Sequence, residues 1–156
     1  MPLNQDFEEL LYLLNSAHAK YLVVGAYAVI AYTEPRYTKV IDIWIKPECK
    51  NAEKVYDALK RFGAPIKNLS VEDLTNPEMV YQIGMEPNRF DILMGIANVS
   101  FDKAWKNKRL SHYGKERTYL LHLEDLIRAK KAAGSLQDLI DLERLLQVPK
   151  RKKKNR

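Results

Sequence analysis

The feature that most constrains the fold is an apolar segment interrupted by one glycine, Tyr21-Leu-Val-Val-Gly-Ala-Tyr-Ala-Val-Ile-Ala-Tyr32. After a short loop, a second apolar segment follows, Thr38-Lys-Val-Ile-Asp-Ile-Trp-Ile45. The pattern predicts a strand, a turn at Gly25, a short helix and a second strand. Side chains alternate along a strand, so Val40, Asp42 and Trp44 share one face, and the isoleucines of the segment form the core face. Asp42 therefore lies among apolar residues, where a carboxylate needs a cation or hydrogen-bond donors.

The charge of the chain is concentrated at one end. The 156 residues carry 26 basic and 20 acidic side chains, a formal net charge of +6. Residues 149–156 hold six of the bases and no acid, which leaves residues 1–148 formally neutral. We therefore predict one domain over residues 1–148 and a disordered basic tail over residues 149–156. The alternative for the tail is electrostatic contact with RNA, DNA or another anionic partner.

The chain has no sequence signal for a membrane or an oxidising compartment. Cys49 is the single cysteine, and His18, His112 and His122 show no zinc-ligand spacing with it. No apolar run approaches the roughly 20 residues that span a bilayer, and the first residues do not resemble a signal peptide. We expect a cytoplasmic protein without membrane association.

The remaining periodicities predict an α/β (α+β) domain. Its predicted architecture is a mixed, largely antiparallel sheet flanked by helices and closed by a C-terminal helix pair. The predicted helices cover about residues 5–18, 52–62, a short segment at Trp105, and 123–133, and the predicted hairpins pair 79–83 with 89–93 and 109–112 with 118–121. The last helix begins at a capping box formed by Ser135-Leu-Gln-Asp138. Its predicted inward-facing residues are Leu139, Leu142, Leu145 and Leu146.

Two acids in apolar strands indicate a possible metal site. Asp42 and Asp91 could share one Mg²⁺, which is commonly held by one or two carboxylates together with substrate phosphates. The alternative is that each carboxylate accepts backbone hydrogen bonds or pairs with Arg36 or Arg89. Gly25 opens a helix whose free N–H groups could bind a phosphate, although many strand-to-helix junctions need a glycine for steric reasons alone.

Nearly the whole chain resembles the minimal nucleotidyltransferases of the polymerase-beta-like superfamily, which include domains of bacterial toxin–antitoxin and phage-resistance modules. The family pattern is a strand, a Gly-Gly or Gly-Ser turn with a helix, Arg-x-Thr-x-Asp-x-Asp on the next strand, and a third Asp on a later one. Tyr21 to Ala31 is similar to the first part, Arg36, Thr38 and Asp42 to the second, and Arg89-Phe-Asp-Ile-Leu93 to the third. The segment from Leu126 to Leu142 resembles the helix pair that closes these domains.

The resemblance implies transfer of a nucleoside monophosphate from a nucleoside triphosphate to an acceptor hydroxyl of RNA, protein or a small molecule, with Mg²⁺ as cofactor. It implies Asp42 and Asp91 as catalytic metal ligands, with Asp91 also assisting deprotonation of the acceptor. The implied nucleotide- and phosphate-binding positions are Gly25, Ala26, Arg36, Thr38 and Lys130. Lys130 would balance the charge of the triphosphate, unless it is an exposed helix lysine like Lys131.

Three positions depart from the family pattern. Val40 replaces the first Asp of the pair, Ala26 replaces the second turn glycine, and Ser135 replaces an arginine. Two carboxylates can hold one Mg²⁺, but the loss of a two-ion clamp predicts a rate reduced on the order of 10³-fold or more. The alternatives are a catalytically inactive nucleotide- or partner-binding regulatory protein, and a nucleic-acid-binding module driven by the tail. The Trp44 face is a further candidate, for an oligomer contact.

Overall fold

The computed structural model describes residues 4–33 and 39–149. Within them the helices are α1 Gln5–Ser16, α2 Gly25–Tyr32, α3 Cys49–Phe62, α4 Phe101–Lys106, α5 Leu123–Ala133 and α6 Leu136–Leu146. The strands are β1 Tyr21–Val24, β2 Val40–Ile45, β3 Val80–Ile83, β4 Arg89–Leu93, β5 Arg109–Tyr113 and β6 Glu116–Leu120. A single 3₁₀ turn lies at Asp73–Thr75.

Local sequence signals explain where the helices begin and end. The Asn4 side chain accepts hydrogen bonds from the first turn of α1, and Gly63 ends α3 in the left-handed conformation with φ +91°. Ser135 and Asp138 form the predicted capping box at the start of α6. Gly134, with φ +73°, ends α5 immediately before it. The predicted helix pair is confirmed, since α5 spans the predicted residues 123–133 and α6 begins after the Ser135 cap.

The strands form one six-stranded mixed sheet in the order β3-β4-β2-β1-β6-β5. Both predicted hairpins are present as antiparallel pairs, β3 with β4 and β5 with β6. β1 also pairs antiparallel with β2, whereas β1 with β6 and β2 with β4 are parallel. The mixed sheet flanked by helices is therefore confirmed. The parallel pair β2 and β4 places two distant parts of the sequence side by side at the centre of the sheet.

The sheet carries an apolar core on each face. On one face, the predicted core residues Ile41, Ile43 and Ile45 are fully buried with residues of α1 and α3. On the other face, Leu22, Val24 and Trp44 are buried with residues of α2, α4, α5 and α6. The suggested oligomer contact at Trp44 is therefore wrong, because its side chain is 2% exposed and its ring lies 5.0 Å from that of Phe101.

The last helix buries fewer leucines than the sequence predicts. Leu145 is fully buried and Leu142 is partly buried, but Leu139 is 52% and Leu146 is 59% exposed. The prediction that Leu139 and Leu146 face inward is wrong, because the inward face of α6 is shared with the carboxylates of Asp138 and Asp141. Within the described residues, no helix is sufficiently long and apolar to cross a membrane.

Candidate active site on the central strands

Asp42 and Asp91 lie directly opposite each other on parallel strands. The β2 and β4 register pairs Asp42 with Asp91, and Val40 with Arg89 two residues earlier. The alternation of a strand places all four side chains on the same face of the sheet. This face is the one covered by α2, α4, α5 and α6, so helices border the site. The structure thus brings the two sequence-predicted carboxylates together.

The two carboxylates repel each other. Burial and the neighbouring negative charge of Asp91 raise the pKa of Asp42 from 3.8 to about 6, although the charges of Lys130 and Arg89 act in the opposite direction. Two adjacent carboxylates disfavour simultaneous ionisation unless a cation lies between or beside them. The arrangement can therefore attract a cation or a proton.

Arg89 is the immediate partner of Asp91. Its Nε donates to one carboxylate oxygen and its Nη2 to the other, each at 3.0 Å. A third nitrogen, Nη1, lies 3.8 Å from Glu86. The pairing that the sequence offered as an alternative to metal binding is therefore present for Asp91. A carboxylate has about four acceptor sites, and Arg89 occupies one on each oxygen.

The start of α2 lies against the Asp42 carboxylate. Gly25 has φ +66°, and a Cβ at this position would overlap Oδ2 of Asp42 and lie 2.8 Å from its Cγ. Only glycine allows this conformation and this approach together. No side chain caps the first turn of α2, and that turn contains no acidic residue. The first turn of α2 therefore begins beside the Asp42 carboxylate and has no side-chain cap.

Lys130 is held at the same face by two acids of α6. Its Nζ lies 2.9 Å from Asp138 and 3.3 Å from Asp141, and its side chain is 13% exposed. Asp141 is 1% exposed and also accepts a hydrogen bond from Gln137. The alternative of an exposed helix lysine is excluded for Lys130. Its positive charge reaches Asp42 and lowers the pKa of that carboxyl against the stronger opposing effects.

The sequence did not identify the acids that hold Lys130. Asp138 was predicted as a capping residue, and the structure shows that it both caps α6 and pairs with Lys130. Asp141 carried a weak signal, because it shares the helical face of Leu142 and Leu145 and an acid on an apolar face needs a partner. The side-chain donors of Ser135 and Lys130 outweigh partial burial and hold the pKa of Asp138 below its usual range.

Part of the predicted site lies outside the described residues. Arg36 and Thr38 belong to the segment 34–38, which the structure does not describe. Over residues 4–33 and 39–149, no cluster of three or more acids, histidines or cysteines could hold a metal ion.

A solved structure with a similar fold is an antibiotic-modifying enzyme. The lincosamide antibiotic adenylyltransferase LnuA, solved with lincomycin bound, matches with a TM-score of 0.61 over 96% of this chain and 100% of that one. The two sequences are 13% identical, so the likeness shows the fold alone. No protein-family model matches the sequence, and no curated protein matches it.

Proposed function

We propose that this chain is a nucleotidyltransferase, which transfers a nucleoside monophosphate from a nucleoside triphosphate to an acceptor hydroxyl. The observation that carries the proposal is the pairing of Asp42 with Asp91 on adjacent strands, directly beside the start of α2. The nucleotidyltransferase-like fold supports it. Assignment to the toxin–antitoxin type is a prediction from sequence resemblance alone.

The carboxylate pair fits one Mg²⁺. Asp42 and Asp91 supply hard oxygen ligands, and their mutual repulsion is the feature that a bound cation relieves. When bound with the triphosphate, Mg²⁺ would neutralise phosphate charge and polarise the reacting phosphoryl group. The sequence resemblance implies a third carboxylate, for a second ion, at the position that Val40 occupies in this chain.

The protein groups have distinct proposed roles. The N–H groups at Gly25 and Ala26 would bind phosphate oxygens, since the first turn of α2 has no side-chain cap. Lys130 would oppose the negative charge of the triphosphate near Asp42. Arg36 and Thr38 remain proposed phosphate-binding residues on the sequence resemblance alone.

The proposed reaction is a phosphoryl-group displacement. The acceptor oxygen forms a bond to the α-phosphorus, the bond from that phosphorus to the oxygen bridging to the β-phosphorus breaks, and pyrophosphate leaves. The hydroxyl proton passes to the Asp91 carboxylate, whose remaining lone pairs can accept it. With Val40 in place of a third ligand, we expect a rate lower on the order of 10³-fold than that of a two-ion site.

A second candidate function is nucleotide or partner binding without turnover. The specific observation that favours it is the bidentate pairing of Asp91 with Arg89, which engages the proposed proton acceptor. This function keeps the phosphate-binding start of α2 and predicts nucleotide affinity with no transfer.

Radiolabel transfer tests the proposal. The full chain is incubated with each α-labelled nucleoside triphosphate, Mg²⁺ and either RNA, a cell extract or lincomycin, the compound bound in the related structure. Asp42→Asn and Asp91→Asn should abolish transfer, whereas Asp57→Asn, which changes a surface acid on α3, should not. Nucleotide binding measured in parallel separates the two candidates, since binding without transfer supports the second function. Absence of both would contradict the proposed transfer and the nucleotide-binding form of the second function.

A further inference from the structure

Val40 and Arg89 occupy paired positions immediately beside the two site carboxylates. They lie opposite each other in the β2 and β4 register, two residues before Asp42 and Asp91 and on the same face. The resemblance places a metal-binding carboxylate at Val40. Directly across from that position, this chain has a permanently charged guanidinium.

The Arg89 guanidinium is bound to one of the two site carboxylates. Arg89 donates from Nε and Nη2 to both oxygens of Asp91, and the Asp91 side chain is only 13% exposed. Bidentate arginine–carboxylate pairs fix geometry as well as charge. The positive charge of Arg89 also interacts with Asp42. One of the two repelling carboxylates is therefore neutralised by the protein itself.

The formal charge of the site shows what the Arg89 guanidinium can substitute for. Three carboxylates that hold two divalent ions carry one net positive charge. Two carboxylates and one guanidinium that hold a single divalent ion carry the same net charge. A site with Arg89, two carboxylates and one divalent ion therefore presents the same net charge to the triphosphate as a site with three carboxylates and two ions.

We propose that Arg89 takes the place of one of the two divalent ions, so that the site binds a single ion with the nucleotide. This inference rests on the proposed nucleotide-binding function. Its consequence is that Val40→Asp alone does not restore a second ion, because the new carboxylate faces the Arg89 guanidinium and pairs with it. Restoring the second ion requires Val40→Asp together with Arg89→Gln.

Counting bound Mn²⁺ tests the inference without relying on turnover. Mn²⁺ is titrated into the full chain saturated with α,β-methylene-ATP, and free Mn²⁺ is followed by electron paramagnetic resonance. We expect one ion per nucleotide-bound chain for the wild type and for Val40→Asp. We expect two for the double variant Val40→Asp/Arg89→Gln. The single variant Arg89→Gln should bind its one ion several-fold more tightly than the wild type, because a neighbouring positive charge is removed.

Matched variants separate charge from structure. Val40→Asp/Arg89→Lys keeps the positive charge and should bind one ion, and Arg61→Gln, on the surface of α3, should behave as the wild type. Circular dichroism shows whether each variant folds. If Val40→Asp/Arg89→Gln does not fold, Val40→Asp/Arg89→Met is a second double variant, in which methionine keeps an apolar chain in place of the arginine stem. Two ions in the wild type or in Val40→Asp would overturn the inference and leave the proposed function intact. Failure of the wild type to bind the nucleotide analogue would overturn both.

Discussion

Asp42 is held where an ionised carboxylate is unfavourable. It is partly buried at the centre of the sheet, opposite a second carboxylate, and Gly25 packs directly against it. Such an arrangement is destabilising in the absence of a ligand, and residues of this kind concentrate at functional sites. The stability of the ligand-free protein should therefore depend on this one side chain and on the glycine beside it.

Replacing Asp42 should stabilise the ligand-free protein at neutral pH. The folded pKa is about 6 against an ordinary value of 3.8, so the folded state binds the proton more tightly than the unfolded state does. The free-energy penalty of the carboxylate is complete above pH 6 and disappears as the pH falls to 3.8. We expect Asp42→Asn to raise the free energy of unfolding by ~1–3 kcal/mol at pH 7 and by much less at pH 4.

Urea denaturation over this pH range, without Mg²⁺ or nucleotide, measures the effect. Asp57→Asn is the control for removing one negative charge from the surface. A stability difference between wild type and Asp42→Asn that stays constant from pH 7 to pH 4 would contradict the assigned environment of Asp42.

Gly25→Ala should lower the free energy of unfolding by more than the left-handed backbone conformation of Gly25 alone explains. Gly25 and Gly134 have similar φ angles, +66° and +73°, but no atom lies within 4 Å of a Cβ added at Gly134. We expect Gly134→Ala to destabilise by ~1–2 kcal/mol from the backbone conformation. Gly25→Ala should lose a further ~1–3 kcal/mol because its Cβ displaces the Asp42 carboxylate. Equal losses in chemical denaturation would show that the close approach to Asp42 is unimportant.

At the scale of elements, α5 and α6 are joined by buried charge as well as by leucines. Lys130 projects from α5 to Asp138 and Asp141 of α6, and all three side chains are largely shielded from water. Removing one partner from such a group leaves a charge without its counter-ion in a poorly solvated position. The packing of the helix pair should therefore depend on the lysine more than its helical position suggests.

Lys130→Met should destabilise the fold by ~3 kcal/mol, because Asp141 loses its lysine counter-ion in a buried position. Lys131→Met is the matched control, since Lys131 is the exposed neighbour on the same helix, and its effect should stay within about 0.5 kcal/mol. Thermal and urea unfolding of the two variants provide the comparison. Similar, small losses for both would mean that the ion pairs of Lys130 contribute little.

Element positions could be predicted from the sequence because their signals are local. The Gly25 turn, the Gly63 and Gly134 helix ends and the Ser135 cap each depend on a few neighbouring residues. The exposure of Leu139 could not be predicted in this way, because it depends on which face of α6 meets the rest of the protein. Polar contacts between elements, such as Lys130 with Asp141, have no local signature either.

The candidate site could be predicted only in part, because some of its features have local sequence signals and others depend on how the strands pair. Asp42 and Asp91 were identifiable as acids in apolar strands, but their direct pairing follows from the β2 and β4 register. The role of Arg89 depends on that register too. Burial of Trp44 was missed because alternation predicts only which face a side chain takes, and both faces of this sheet are covered by helices.

For the whole molecule, residues 1–149 carry no formal net charge, and the basic excess lies in residues 150–156. A chain shortened after Pro149 should unfold at the same temperature as the full chain, since α6 ends at Leu146. Its affinity for single-stranded RNA should fall. The slope of log K against the logarithm of the salt concentration should become less negative by up to ~4. A variant with all the tail bases changed to glutamine is the control for length. RNA binding that survives both changes would place the nucleic-acid contact on the folded domain.

The parallel pairing of β2 with β4 also determines when the site can exist. Asp42 meets Asp91 only after α3 and β3 have been synthesised between them, and Lys130 reaches the site from α5, near the other end of the chain. Contacts between residues so far apart in sequence carry a larger loop-closure entropy cost than local contacts do. A nascent chain on the ribosome therefore has its glycine turn and first carboxylate long before it has a complete site. Chains that are cut short before α5 should be inert, because any activity requires the strands and α5 to be present together.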